Sequence, residues 1–177
     1  MKLEIQRGLN NSILRTIADE IKDFSEAKKN IKSMKEFLKN SDDWVWLAAP
    51  QVWISKKIFL ACVDQNKDWE VLKEKITAFI NPKILEFSEK KIVWQEWCLS
   101  LPWVFWDVER SKEIKIEYQN LRWETVNKKL LWFWAVVFQH EFDHLNWVLF
   151  FDKLANWEFV MDEWMTKEDL KKLDIEI

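Results

Sequence analysis

"LWFWAVVFQHEFDHLN", residues 131–146, runs a greasy segment straight into the densest polar cluster of the chain. Its apolar residues fall on every side of a 3.6-residue period rather than along one stripe, which predicts a central, buried helix. His140-Glu141-Phe142-Asp143-His144 within it is H-E-x-x-H, and the chain has no other histidines. On a helix the i, i+4 spacing puts both imidazoles on one face. Two such nitrogens can hold a divalent metal, with Glu141 beside them as a base for activated water. A pair of hydrogen-bonded core histidines is the bland alternative.

A catalytic metal needs a third protein ligand. One known pattern places a histidine six residues beyond His144, but Phe150 stands there. Downstream, Glu158 or Glu163 could serve, as in a zinc endopeptidase. Upstream, Cys98 in "QEWCLSLP" (95–102) offers a thiolate, a good ligand for zinc or ferrous iron. Cys62, in "FLACV", reads as an ordinary buried strand cysteine.

Around this helix the patterning predicts strands over 56–63, 76–82 (stopped by Asn81-Pro82), 83–87, 91–101 and 111–120. A hairpin returns through 124–130, its turn near Arg122-Trp123. Residues 12–40 read as helical in two pieces, with Ser25 as N-cap at the break, and 166–174 as a short helix. Without repeats or linkers, residues 1–177 read as one α+β domain, with mixed and antiparallel short strands around the central helix.

The net charge is -3, from 27 basic and 30 acidic residues well mixed, so nothing points to nucleic acid. The lysines between 28 and 39 alternate with Ile31, Met34, Phe37 and Leu38 as on a solvated helix face. No apolar run reaches the roughly 18 residues of a membrane span, and the start lacks a signal-peptide core. A cytoplasmic protein with unbridged cysteines is expected.

Glycine is the anomaly. At about 7% usage this length should carry roughly 12, yet Gly8 is the only one, against 14 tryptophans. The tryptophans also sit where turns want glycine, as in Asp68-Trp69-Glu70, Arg122-Trp123-Glu124 and Asn156-Trp157-Glu158.

Three motifs, in order, make the chain resemble the peptide deformylases along nearly its whole length. The family's G-x-G-L-A-A-x-Q stands here as Trp44-Val45-Trp46-Leu47-Ala48-Ala49-Pro50-Gln51. Its E-G-C-L-S stands as Glu96-Trp97-Cys98-Leu99-Ser100, and its H-E-x-D-H as residues 140–144. The departure is systematic: where the motifs have glycine, at 44, 46 and 97, this chain has tryptophan, and Trp147 fits the same pattern. The expectation is a gene that reads UGA as glycine, as some bacterial codes do. Indoles at such positions should project into solvent or into the groove, with Trp46 or Trp97 crowding the metal. Several, foremost Trp69, Trp123 and Trp157, should have positive φ.

The resemblance implies removal of the N-formyl group from formyl-methionyl nascent peptides, with the ribosome near its exit tunnel as a partner and without nucleic-acid or membrane binding. It implies one divalent ion on Cys98, His140 and His144, ferrous iron in the family, with zinc, nickel or cobalt able to substitute. Glu141 would move the proton, while the Gln51 amide and the Leu99 backbone N–H would meet the oxyanion. Val45, Trp46, Glu96, Trp97, Phe133 and Val137 would line the substrate site, with Arg110 near the groove or on the surface. An inactive protein that keeps this fold as a binding module is the further alternative.

Overall fold

Ile58-Phe59-Leu60-Ala61 form strand β2 (Ile58–Ala61), and all four side chains are buried. Because strand side chains alternate between faces, such a run needs cover on both sides. In the computed structural model, which describes residues 3–40, 44–62, 76–154 and 166–175, it has that cover. Helix α1 (Phe24–Lys39) buries Ala27, Ile31, Met34 and Leu38 in one cluster with Ile58 and Leu60. On the other face lies helix α2 (Phe133–His144), whose Phe138 ring meets Phe59 at 5.0 Å and Phe79 at 5.3 Å. Ten of the twelve α2 residues are buried.

The sheet between these helices has the order β1-β2-β3-β6-β7. Its other strands are β1 (Trp46–Ala48), β3 (Thr77–Phe87), β6 (Glu113–Gln119) and β7 (Thr125–Leu131). A separate hairpin of β4 (Lys91–Cys98) and β5 (Leu101–Ser111) buries Val104, Trp106 and Val108 against Leu14, Leu149 and Phe150. The C-terminal helix α3 (Lys167–Lys172) adds Leu170 and is capped by Thr166, whose hydroxyl accepts from the Asp169 N–H.

Several expectations need correction. Every pairing between these strands is antiparallel, and the parallel contact is an isolated bridge of Asp19 with Lys56. Residues 12–15 form turns and 16–23 run as irregular chain with two isolated bridges, rather than helix. Their backbone is engaged by distant loops, with the Ala18 N–H donating to Leu145 O at 3.0 Å and Ile17 bridging Asn146. Leu14, Ala18 and Ile21 are buried at helix-like spacing without a helix to place them. The N-cap of α1 is therefore Asp23, whose carboxylate accepts from the Ser25 N–H at 2.8 Å.

Asn81-Pro82 does not end a strand: β3 continues to Phe87, so 76–82 and 83–87 are one element. The register shifts between Ile80 and Lys83, a bulge that leaves Pro82 outside the ladder. Asn81 takes φ 47 there, tolerable for asparagine. Its side-chain NH2 donates to Ile21 O and to Gln119 Oε1, and its oxygen accepts from the Ile21 N–H, each at 2.8 Å. The strand expected over 91–101 instead turns at Leu99-Ser100 and returns as β5, which the sequence reading missed. Pro82's counterpart Pro102 sits inside β5, on an edge where no ladder bond is required. The hairpin expected at Arg122-Trp123 is present between β6 and β7.

Phe59, fully buried between two rings, tests this packing: Phe59→Ala should destabilise by about 3–5 kcal/mol. Urea unfolding should show a lower midpoint at unchanged slope, while exposed Leu85→Ala should leave the midpoint in place.

Candidate metal centre and active site

The end of β4 brings Cys98 against the last turns of α2. The ligand-capable atoms of Cys98, His140 and His144 all lie within 4.8 Å of one another, and all three residues are buried. Cys98 Sγ is 3.1 Å from His144 Nε2. His140 Nδ1 meets Glu96 Oε2 at 2.8 Å, leaving Nε2 as its ring nitrogen for the cluster.

Behind the cluster runs a chain of buried charges. Arg110 donates from Nε to Glu96 Oε1 at 2.7 Å and from Nη2 to Glu96 Oε2 at 2.9 Å. Its Nη1 donates to Asp143 Oδ2, and Asp143 Oδ1 accepts from Lys153 Nζ at 2.8 Å. Burial alone would raise the Glu96 pKa, but the Arg110 and His140 hydrogen bonds outweigh it and hold the carboxylate at about 2. Arg110 is thus not a solvated surface arginine: it is 2% exposed and paired with two carboxylates.

Glu141 has the opposite environment. Burial pushes its pKa up to about 7, against the opposing pull of the two histidines. Both its carboxylate oxygens and His144 Nδ1 are buried without a hydrogen-bond partner among the described residues. Buried polar atoms are rarely left so. A thiol, two imidazoles and an orphaned carboxylate form a donor set that fits a divalent ion and a water beside it. The Cys98 thiol is likewise held well below its usual range, since the charge of His144 and the two imidazole contacts overcome burial.

Gln51 reaches the cluster from the 3-10 turn Ala49–Val52. Its Oε1 accepts from the Ala48 N–H at 2.9 Å, which orients Nε2 toward Cys98 Sγ and Ser100 Oγ, both at 3.3 Å. Ser100, fully buried, also donates its backbone N–H to Cys98 Sγ at 3.4 Å. Sequence reasoning gave no role to Ser100, Asp143 or Lys153. The first two lie inside quoted motifs, whereas nothing in the sequence marks Lys153. Leu99 occupies the turn directly after Cys98, and Glu158 and Glu163 lie outside the described residues.

A cavity of about 100 Å³ opens beside the cluster, bounded by Trp46, Trp97, Phe133 and Val137, with Glu96 and Glu141 also in its wall. Its mouth is crowded: Trp46 lies 6.0 Å from Trp97 and 6.1 Å from Phe133, ring to ring, and Trp44 lies 4.6 Å from Trp97. Val45, next to Trp46, is buried and is not among the residues bounding this cavity.

Residues 4–159 match the family model described as polypeptide deformylase. A peptide deformylase of Thermotoga maritima is 43% identical over 150 residues, 84% of this chain and 85% of its own length. The crystal structure of peptide deformylase from Thermotoga maritima superimposes with a TM-score of 0.76 at 41% identity, covering 88% of this chain and 99% of that one. A Synechococcus elongatus peptide deformylase in complex with actinonin gives 0.78 at 29% identity, covering 99% and 87%. With the site's geometry beside these likenesses, the chain belongs to the polypeptide deformylase family, metal-dependent hydrolases that remove the N-formyl group from newly made peptides.

Proposed function

We propose that Cys98, His140 and His144 hold one divalent ion, and that Glu141 is the proton carrier of the deformylation. The observation that carries this reading is the orphaned Glu141 carboxylate beside a buried Cys/His/His triple. Ferrous iron suits the mixed thiolate and imidazole set, and zinc, nickel or cobalt can take its place. Such an ion supplies Lewis-acid activation of water near neutral pH.

The remaining work belongs to the chain. Glu141 accepts the proton of the attacking water and passes it to the leaving amine nitrogen. The formyl C–N bond breaks, formate leaves, and the peptide keeps a free amino terminus. Gln51 Nε2, already oriented by its bond to Ala48, and the Leu99 backbone N–H serve the negative charge that develops on the formyl oxygen. Phe133, Val137, Trp46, Glu96 and Trp97 form the wall for the methionine side chain, with the peptide added as a strand between β1 and β4. Helix α2 is the central element, since it fills one sheet face while carrying the chemistry. The nascent-chain substrate places the enzyme in the cytoplasm near the ribosomal exit. Among the described residues no helix is long and apolar enough to cross a membrane. An endopeptidase with a downstream glutamate ligand is disfavoured, because Cys98 already completes the triple.

Three measurements test these roles. Glu141→Gln should retain the ion by elemental analysis while kcat for formyl-Met peptide falls about 10²–10⁴-fold; near-normal turnover would remove Glu141 from the mechanism. Glu96→Gln should weaken metal affinity about 10–100-fold, because an amide cannot replace the carboxylate behind His140 and leaves Arg110 underpaired. Cys98→Ser should lose the ion under dialysis, whereas retention would favour a ligand elsewhere.

A further inference from the structure

We infer that the residues this sequence writes as tryptophan are glycines in the protein its own cells make, with UGA read there as glycine. Backbone geometry and composition carry this independently of the residue roles proposed above.

Eleven of the 14 tryptophans lie among the described residues, and so do eleven of the 12 phenylalanines. Five of those tryptophans have positive φ: Trp53 (65), Trp103 (70), Trp123 (63), Trp132 (53) and Trp147 (61). None of the eleven described phenylalanines does. The other non-glycine residues with positive φ are Asn81 and Asp174, of the short polar type that tolerates this region. Bulky residues do not normally sort this way, and phenylalanine in the same chain serves as the control.

The hydrogen bonds show what these positions are for. The Ile54 N–H donates to Ala49 O at 3.0 Å, and the Trp53 N–H to Pro50 O at 3.4 Å. This is the six-to-one, five-to-two pair that ends a helix on a left-handed residue, and that residue is usually glycine. Past α2 the Val148 N–H donates to Asp143 O at 3.1 Å, which puts Trp147 at the same structural position. Trp123 closes the β6–β7 turn, its N–H donating to Asn120 O at 2.9 Å. Trp132 pairs φ 53 with ψ -131, outside the left-handed helical well, in territory that essentially only glycine uses.

Several of the side chains remain largely exposed. Trp53, Trp103, Trp132 and Trp147 are each more than half exposed, although an indole ordinarily contributes large buried area. Trp134 is buried with its indole N–H lacking an acceptor. Trp46 and Trp97 stand across the mouth of the catalytic cavity. Trp106 and Trp134 are buried in core clusters, and Trp44, Trp46 and Trp123 pack partly against them. Gly8 with the 14 tryptophans makes 15 residues of 177, about 8% and close to ordinary glycine usage.

Residue identity at these positions is read directly by sequencing the gene and weighing the protein purified from its own cells. UGA codons and an intact mass lowered by the tryptophan-to-glycine difference at each position are expected. UGG codons at 53, 103, 123, 132 and 147, or the mass of 21.7 kDa written by the tryptophan sequence, would overturn the inference. The backbone argument has its own test, independent of activity. Replacing W53G, W103G, W123G, W132G and W147G together in the tryptophan chain should raise the thermal midpoint by roughly 10 °C, each site relieving a strained φ. A midpoint unchanged or lowered would show that the indoles stabilise these turns, and would count against glycine there.

Discussion

The contact between Glu96 and His140 Nδ1 ties the two halves of the molecule together. One partner belongs to the β4–β5 hairpin, the other to the helix that fills the main sheet. Once it forms, the imidazole has a fixed tautomer and direction, and Cys98, two residues beyond Glu96 on the same strand face, is brought to the same place. Without it the hairpin and α2 would carry their reactive groups separately. The carboxylate is held in turn by Arg110, and Arg110 by Asp143, which lies between the two histidines on α2. The charge network therefore closes on itself through both halves.

Such a network is costly to bury and strong only when complete. Here each charged group has a partner, and Glu96 stays ionised despite its depth. That contrasts with Glu141, one residue from His140, whose oxygens have no partner and whose pKa rises toward neutrality. Two buried glutamates in one site are thus set to different tasks by their surroundings: one is a fixed charge, the other a group able to gain and lose a proton near pH 7.

The tryptophans follow a separate logic. Where the backbone turns left-handed after a helix or closes a hairpin, this chain carries an indole in a conformation that favours glycine. Besides the five tryptophans with positive φ, Trp46 and Trp97 line the cavity, and Trp44 packs on Trp97. The inferred recoding of one codon is a single account of positions that lie far apart in the fold.

H-E-x-x-H, the all-round apolar helix and the Cys98 motif were legible in the chain because they depend on local spacing: i, i+4 on a helix, and short motifs whose residue types announce their chemistry. The glycine anomaly was legible too, since turn chemistry is local. The apolar spacing of residues 12–23 fits a helix, and only docking against Leu145 and Ser55 decided that they form a turn and irregular chain instead. The β3 bulge was hidden because a proline looks like a stop until a partner strand provides the two-against-one register that tolerates it. Arg110 and Lys153 could not be placed from sequence at all, since a charged side chain is assigned to solvent unless distant carboxylates are known to meet it. Local periodicity determined which residues could do chemistry; long-range pairing decided which of them share one buried site.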